Sequence, residues 1–159
     1  MRSQRGFTMI ELMVTIAILA IIATLAAPSL GQMLRNTKVN TSSGDILSFL
    51  QQSRTEAIRL GKTVTVCGTS DGSTCLAVNQ TNWSTGLIAR YPVSGTATLI
   101  QKLAFSNAQL TVTAPATITF NSFGASSAAS QISVASTNAN TAYVCVEVIG
   151  RASKSKTGC

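Results

Sequence analysis

The chain has 159 residues, no histidine, and twelve basic against five acidic residues, for a formal charge of +7. Lack of histidine removes Ser-His and Cys-His nucleophile pairs and most catalytic zinc sites, and so few carboxylates leave no acid–base constellation to assemble. The reading is therefore a non-enzyme without a cofactor or resident metal, with room for one ordinary domain plus an extra segment.

The chain opens with a short basic flank, MRSQRG, followed by the apolar run Phe7 to Leu30. About 20 apolar residues suffice to span a bilayer as a helix, and a basic flank holds the leading end on the cytoplasmic side. A secretory signal peptide would have a shorter apolar core and a small-residue cleavage site, for which "TLAAPSL" is a loose match. A plain single-pass anchor is the other alternative, and it leaves Glu11 unexplained. An ionised carboxylate in hydrocarbon costs several kcal/mol unless paired, so an isolated one marks function. If the chain is cut between Gly6 and Phe7, the new α-amino group lies four residues before Glu11, one helical turn away. Neighbouring subunits can then neutralise one another, amine to carboxylate, as their helices pack side by side.

These residues carry a resemblance. "RGFTMIELMVTIAILAIIATLAAP" resembles the class III signal of type IV pilins and pseudopilins, through the basic leader, Gly6, Phe7, Thr8, Glu11 and the apolar helix. The resemblance implies that prepilin peptidase removes residues 1–6 by cutting after Gly6 and N-methylates Phe7. It further implies that Glu11 aids docking into a growing helical filament. Pro28 matches the family's usual proline, where a helix bends or melts locally. Residues 7–30 would then be the membrane anchor and later the filament core, and 31–159 the globular domain with the amphipathic half of the helix.

From Leu30 to about Leu60 the pattern stays helical but becomes amphipathic. Ile46, Phe49, Leu50 and Ala57 share a face, with Leu47 and Ile58 beside it, and Gly61 is the expected cap. The helix from Phe7 to Leu60 would run roughly 80 Å at about 1.5 Å per residue. Beyond it lie β-prone runs separated by Gly, Ser, Asn and Pro: "TVTVC", "GLIARY", "TLIQKLAF", "QLTVT", "ATITF", "QISVAS" and "AYVCVEVI". The expected fold is thus α+β, the type IV pilin fold: one long N-terminal helix packed on an antiparallel β-sheet domain of about seven strands. "SFGASSAAS" reads as a flexible connection. Trp83 reads as a core or loop anchor, with a ligand platform as the alternative.

Four cysteines in paired, β-rich sequence point to disulfides and an oxidising compartment. Local pairing, Cys67 with Cys75 and Cys145 with Cys159, is the simplest of three connectivities, and the second bridge would be worth roughly 3 kcal/mol in the chain-entropy estimate.

The domain resembles the FimT/FimU and GspH branch of minor pilins and pseudopilins, in "SRTEAIRLGKTVTVC", "NWSTGLIARY", "ITFNSFG" and the late "GRAS". That resemblance implies a minor pilin at or near the pilus tip that primes assembly. Its partners would be other major and minor pilins, prepilin peptidase and the inner membrane. The protein would begin as a single-pass inner-membrane protein with a periplasmic domain and become extracellular in the pilus. A GspH-like pseudopilin of a type II secretion system is the alternative. FimT-like proteins implicated in DNA uptake carry a Gly-Arg-x-Arg motif near the C-terminus. Here Gly150, Arg151 and Ala152 match, while Ser153 replaces the second arginine. Arg151, Lys154 and Lys156 are therefore the candidates for non-sequence-specific contact with extracellular double-stranded DNA during natural transformation.

Overall fold

The computed structural model describes residues 7–77, 79–93, 96–105 and 109–159, so Gly6 of the expected cleavage junction lies outside the described residues, as does the side chain of Pro28. The described residues form one helix, α1 (Met9–Leu60), and eight strands: β1 (Val64–Gly68), β2 (Gly86–Val93), β3 (Thr96–Ala104), β4 (Leu110–Thr113), β5 (Thr117–Phe120), β6 (Ser130–Ser136), β7 (Ala142–Val146) and β8 (Ala152–Ser155). They divide into two compact units, one ending at Leu34 and one spanning Arg35–Cys159.

In the first unit the helix is apolar on every side, and its described large side chains are exposed in the isolated chain. Thr15 and Thr24 interrupt the run, yet their hydroxyls donate to the carbonyls of Leu12 and Ile21, each at 2.8 Å. Such local bonds let a hydroxyl sit in apolar surroundings without an unsatisfied donor. Among the described residues no single helix is long and apolar enough to cross a membrane; Met9–Thr24 and Ser29–Leu60 meet that test only as a pair.

In the second unit the helix buries a stripe made of Val39, Ser42, Ser43, Ile46, Phe49, Leu50, Ser53 and Ala57. The spacing of three and four residues keeps them on one face, and Ile46, Phe49, Leu50 and Ala57 are the face expected from sequence. Leu47 is half-buried beside it and Ile58 is exposed. The serines are small enough for close packing, and the buried Ser43 and Ser53 hydroxyls donate to the carbonyls of Asn40 (2.9 Å) and Phe49 (2.8 Å). Gln101 of β3 donates to Ser53 Oγ (2.8 Å) and to the Phe49 carbonyl (2.9 Å), pinning that strand to the helix. Gly61 ends the helix at φ +62°. Its N–H donates to Ile58 O and that of Lys62 to Ala57 O, both at 3.2 Å, the pair of bonds of a Schellman cap.

The strands form two antiparallel sheets, β3-β2-β1-β5 and β4-β6-β7-β8. Alternate residues point inward, as the pleat requires: Leu110 and Val112, Ile118 and Phe120, Ile132 and Val134, and Ala142, Val144 and Val146. One core joins these side chains to the helical stripe. Trp83 lies in it, fully buried, so it is an anchor and not a ligand platform.

Two sequence expectations are changed. Eight strands stand where about seven were expected, because the basic tail contributes β8. Its "ASKS" has no apolar alternation to reveal a strand, and only pairing with β7, Val144 opposite Lys154 and Cys145 opposite Ser153, makes it one. The "SFGASSAAS" segment is also not a slack connection. Asn121 Oδ1 accepts from the N–H groups of Phe123 and Ala125, both at 3.0 Å, and Ser126 N–H donates to Val148 O at 2.9 Å.

Candidate functional site

Two places carry the candidate residues, and each is built from its own local chemistry. At the N-terminus Thr8 caps α1: its Oγ1 accepts the Glu11 N–H at 3.3 Å, and its carbonyl accepts from Leu12 N–H at 3.2 Å. Thr8-Met9-Ile10-Glu11 has the S/T-x-x-E spacing of a capping box, in which Glu11 occupies the third helical position. A carboxylate in the first turn is also favoured by the partial positive charge of the helix end. The spacing that places Glu11 at the third helical position was legible in the sequence. Glu11 remains exposed, as do Phe7 and Met9 around it. The backbone at Pro28 is helical. A proline there supplies no N–H for the carbonyl one turn back, so the helix is weakened at that point.

At the other end the tail is held by two constraints. The Cys145–Cys159 disulfide, with Cα atoms 5.5 Å apart, fastens the last residue to β7, and Cys159 N–H donates to Gln131 Oε1 of β6 at 2.9 Å. The β7–β8 turn is the second. Gly150 N–H donates to Glu147 O (2.8 Å) and Glu147 N–H to Arg151 O (2.9 Å), with Gly150 at φ +79°. That is the three-residue hairpin closed by a left-handed glycine. The site tolerates nothing larger, since a Cβ at Gly150 would lie 1.8 Å from the Gly124 carbonyl oxygen. Gly150 of "GRAS" is thus required by packing alone.

The three candidate cations do not all converge: Lys154 and Lys156 both lie by Asn40, and Arg151 stands apart from them. Arg151 is exposed and ion-paired with Glu147, its Nε 3.1 Å from Oε1, and the bond and charge of Glu147 raise its pKa. Lys154 Nζ donates to the Asn40 carbonyl of α1 at 2.9 Å. Lys154 pairs with the inward residue Val144, whereas Arg151 and Ser153 are one pleat out of phase with it. Lysine at 154 therefore does not replace an arginine at 153. Lys156 lines a groove of about 400 Å³ with Asn36, Asn40, Asn140 and Tyr143.

The Cys67–Cys75 disulfide closes the other loop, again with Cα atoms 5.5 Å apart. Asp71 organises it, accepting from the hydroxyl of Thr74 (2.6 Å), the N–H groups of Thr74 and Ser73 (2.8 Å each) and the hydroxyl of Thr69 (3.0 Å). The Thr74 hydroxyl and these N–H donors hold the carboxyl far below the ordinary aspartate range. Its oxygens are taken up by its own loop, and no group of three metal-ligating side chains occurs among the described residues.

Comparison with known proteins follows these two ends. The prokaryotic N-terminal methylation motif matches residues 1–27. The family described as type II transport protein GspH matches residues 42–150, more than half of the chain. No curated protein sequence matches. Two crystal forms of the type IV minor pilin FimU of Pseudomonas aeruginosa PAO1 share the fold at 17% identity. One has a TM-score of 0.61 over 77% of this chain and 92% of FimU, the other 0.57 over 73% and 91%.

Proposed function

We propose, from the premise that the chain belongs to the GspH family of type II transport proteins, that it is a minor pilin of a type IV pilus. In this reading prepilin peptidase cuts after Gly6 and methylates the new Phe7 amine. Residues 7–30 anchor the protein in the inner membrane and then join the filament core, while 31–159 passes from periplasm to cell exterior. The subunit enters at or near the tip and primes assembly with other pilins. The observation that carries the reading is the capped, all-round apolar helix with a single carboxylate, Glu11, in its first turn. An apolar surface of that extent needs a lipid or helical partner, and a carboxylate there needs a positive one.

The test separates charge from capping. Glu11→Gln keeps a residue able to complete a capping box but removes the charge. Glu11→Ala and Glu11→Gln should both insert normally and both fall in incorporation into sheared pili, read by immunoblot. Normal incorporation of the Gln variant would refute charge pairing. Recovery with a secretion pseudopilus in place of pili would instead support the type II pseudopilin alternative.

Contact with extracellular double-stranded DNA during uptake is a second reading, supported by the exposed cations of a disulfide-fastened tail and the overall +7 charge. With Ser153 in place of an arginine and Arg151 engaged by Glu147, the expected binding is weak, sequence-independent and strongly salt-dependent. The full chain in neutral micelles is titrated with duplex DNA at two salt concentrations beside Arg151→Ala/Lys154→Ala/Lys156→Ala. Equal binding by both forms, or none by either, removes the tail as a DNA site.

A further inference from the structure

Five large apolar side chains of the described Arg35–Cys159 unit are exposed, and four of them meet in one place: Ile58 (51%), Phe123 (86%), Val148 (56%) and Ile149 (64%). The fifth, Leu99, lies elsewhere on β3. Three elements bring the four together. Arg54 of α1 donates through Nε to Gly124 O at 2.9 Å and through Nη2 to Ile149 O at 3.2 Å. Ser126 N–H ties the Asn121–Ser126 loop to Val148 O at 2.9 Å. Gly124 is packed so closely that a Cβ on it would lie 2.7 Å from Ile58 Cδ1. Exposed apolar side chains are ordinary singly, but a cluster on a loop, a turn and a helix locked together is a pre-organised contact surface.

We infer that Ile58, Phe123, Val148 and Ile149, with Arg54 among them, form a docking surface for a different protein that presents an apolar face bearing a carboxylate. The charge argument selects this occupant. The half-buried Arg54 guanidinium is held by neutral carbonyls, and among the described residues no carboxylate pairs with it. A partner carboxylate would supply the missing charge within an apolar contact, where a charge-assisted, forked hydrogen bond is strongest. A second copy fits poorly. Of its five acidic residues, Glu56 and Glu147 are paired, Asp71 is engaged by its own loop and Glu11 lies in the N-terminal unit. Asp45 is thus the one exposed carboxylate left on the domain, and two copies each carrying +7 repel. An anionic lipid surface would meet Glu147 at the edge of the turn. This inference needs only the folded domain, so it stands apart from the choice between pilus and secretion machinery.

A photoreactive phenylalanine analogue placed at position 123 of the full chain, in cells that produce the protein, tests it. The same probe at Thr98 on β3 is the control, and both disulfides are verified by mass in each variant. The expected result is one discrete adduct with another protein, cross-linked beside an aspartate or glutamate and absent with the Thr98 probe. Ile149→Asp should reduce it about tenfold or more, the size expected at the centre of an interface. An adduct with a second copy, with lipid only, or with nothing would overturn the inference. So would an adduct that Ile149→Asp leaves unchanged.

Discussion

The two halves of α1 treat the same kind of residue in opposite ways. Up to Leu34 the helix is apolar all round, and its described leucines and isoleucines are exposed in the isolated chain. From Arg35 onward a narrow stripe of Val39, Ile46, Phe49, Leu50 and Ala57 is buried, with serines set between them. Backbone geometry is helical in both halves, so the difference lies wholly in what each surface is matched to. A helix with apolar residues on every side needs an apolar solvent or several neighbours, whereas one with a single stripe needs one partner surface. Here the second half finds that surface within its own chain, in the two sheets. The first half is left exposed among the described residues, as an apolar surface still to be matched.

Substitutions along the helix measure that contrast. Leu50→Ala removes a fully buried side chain from the core and should cost about 3 kcal/mol of domain stability, read by urea unfolding followed at the Trp83 fluorescence. A cost below about 1 kcal/mol would show that the second half is not packed as described. Ser53→Ala is subtler: it strands one of the two bonds made by Gln101 and should cost about 1 kcal/mol in the same measurement. Ile18→Ala, in the exposed half, should change domain unfolding by less than about 0.5 kcal/mol while weakening partition into bilayers by lost apolar area. Equal losses at positions 18 and 50 would erase the distinction between the halves.

The tail shows the same division between local and long-range information. The Gly61 cap, the buried face of the helix and most strand positions follow from spacings within a few residues. The pairing of Cys145 with Cys159 was one of three connectivities, and it is the one found. What nearby sequence did not reveal is β8, the tight fit of Gly150 against Gly124, and the separation of Lys154 from Arg151 by the strand pleat. β8 is set by hairpin pairing with the adjacent β7, without apolar alternation to announce it, whereas the Lys154 contact with Asn40 and the packing of the β7–β8 turn on Gly124 and Arg54 involve partners far along the chain.

From sequence alone came the helical character of residues 9–60, the unusual position of Glu11 and the likeness to pilins, because periodicity, capping and a compact N-terminal motif are written in neighbouring residues. Only the tertiary structure decided that the basic tail forms an edge strand, that Arg151 is separated from Lys154 and Lys156, and that Ile58, Phe123, Val148 and Ile149 share one surface. Those outcomes depend on contacts between residues up to about a hundred positions apart, such as Arg54 with Ile149. Such contacts are selected by the closing of the two sheets over the helix, and no local pattern encodes them.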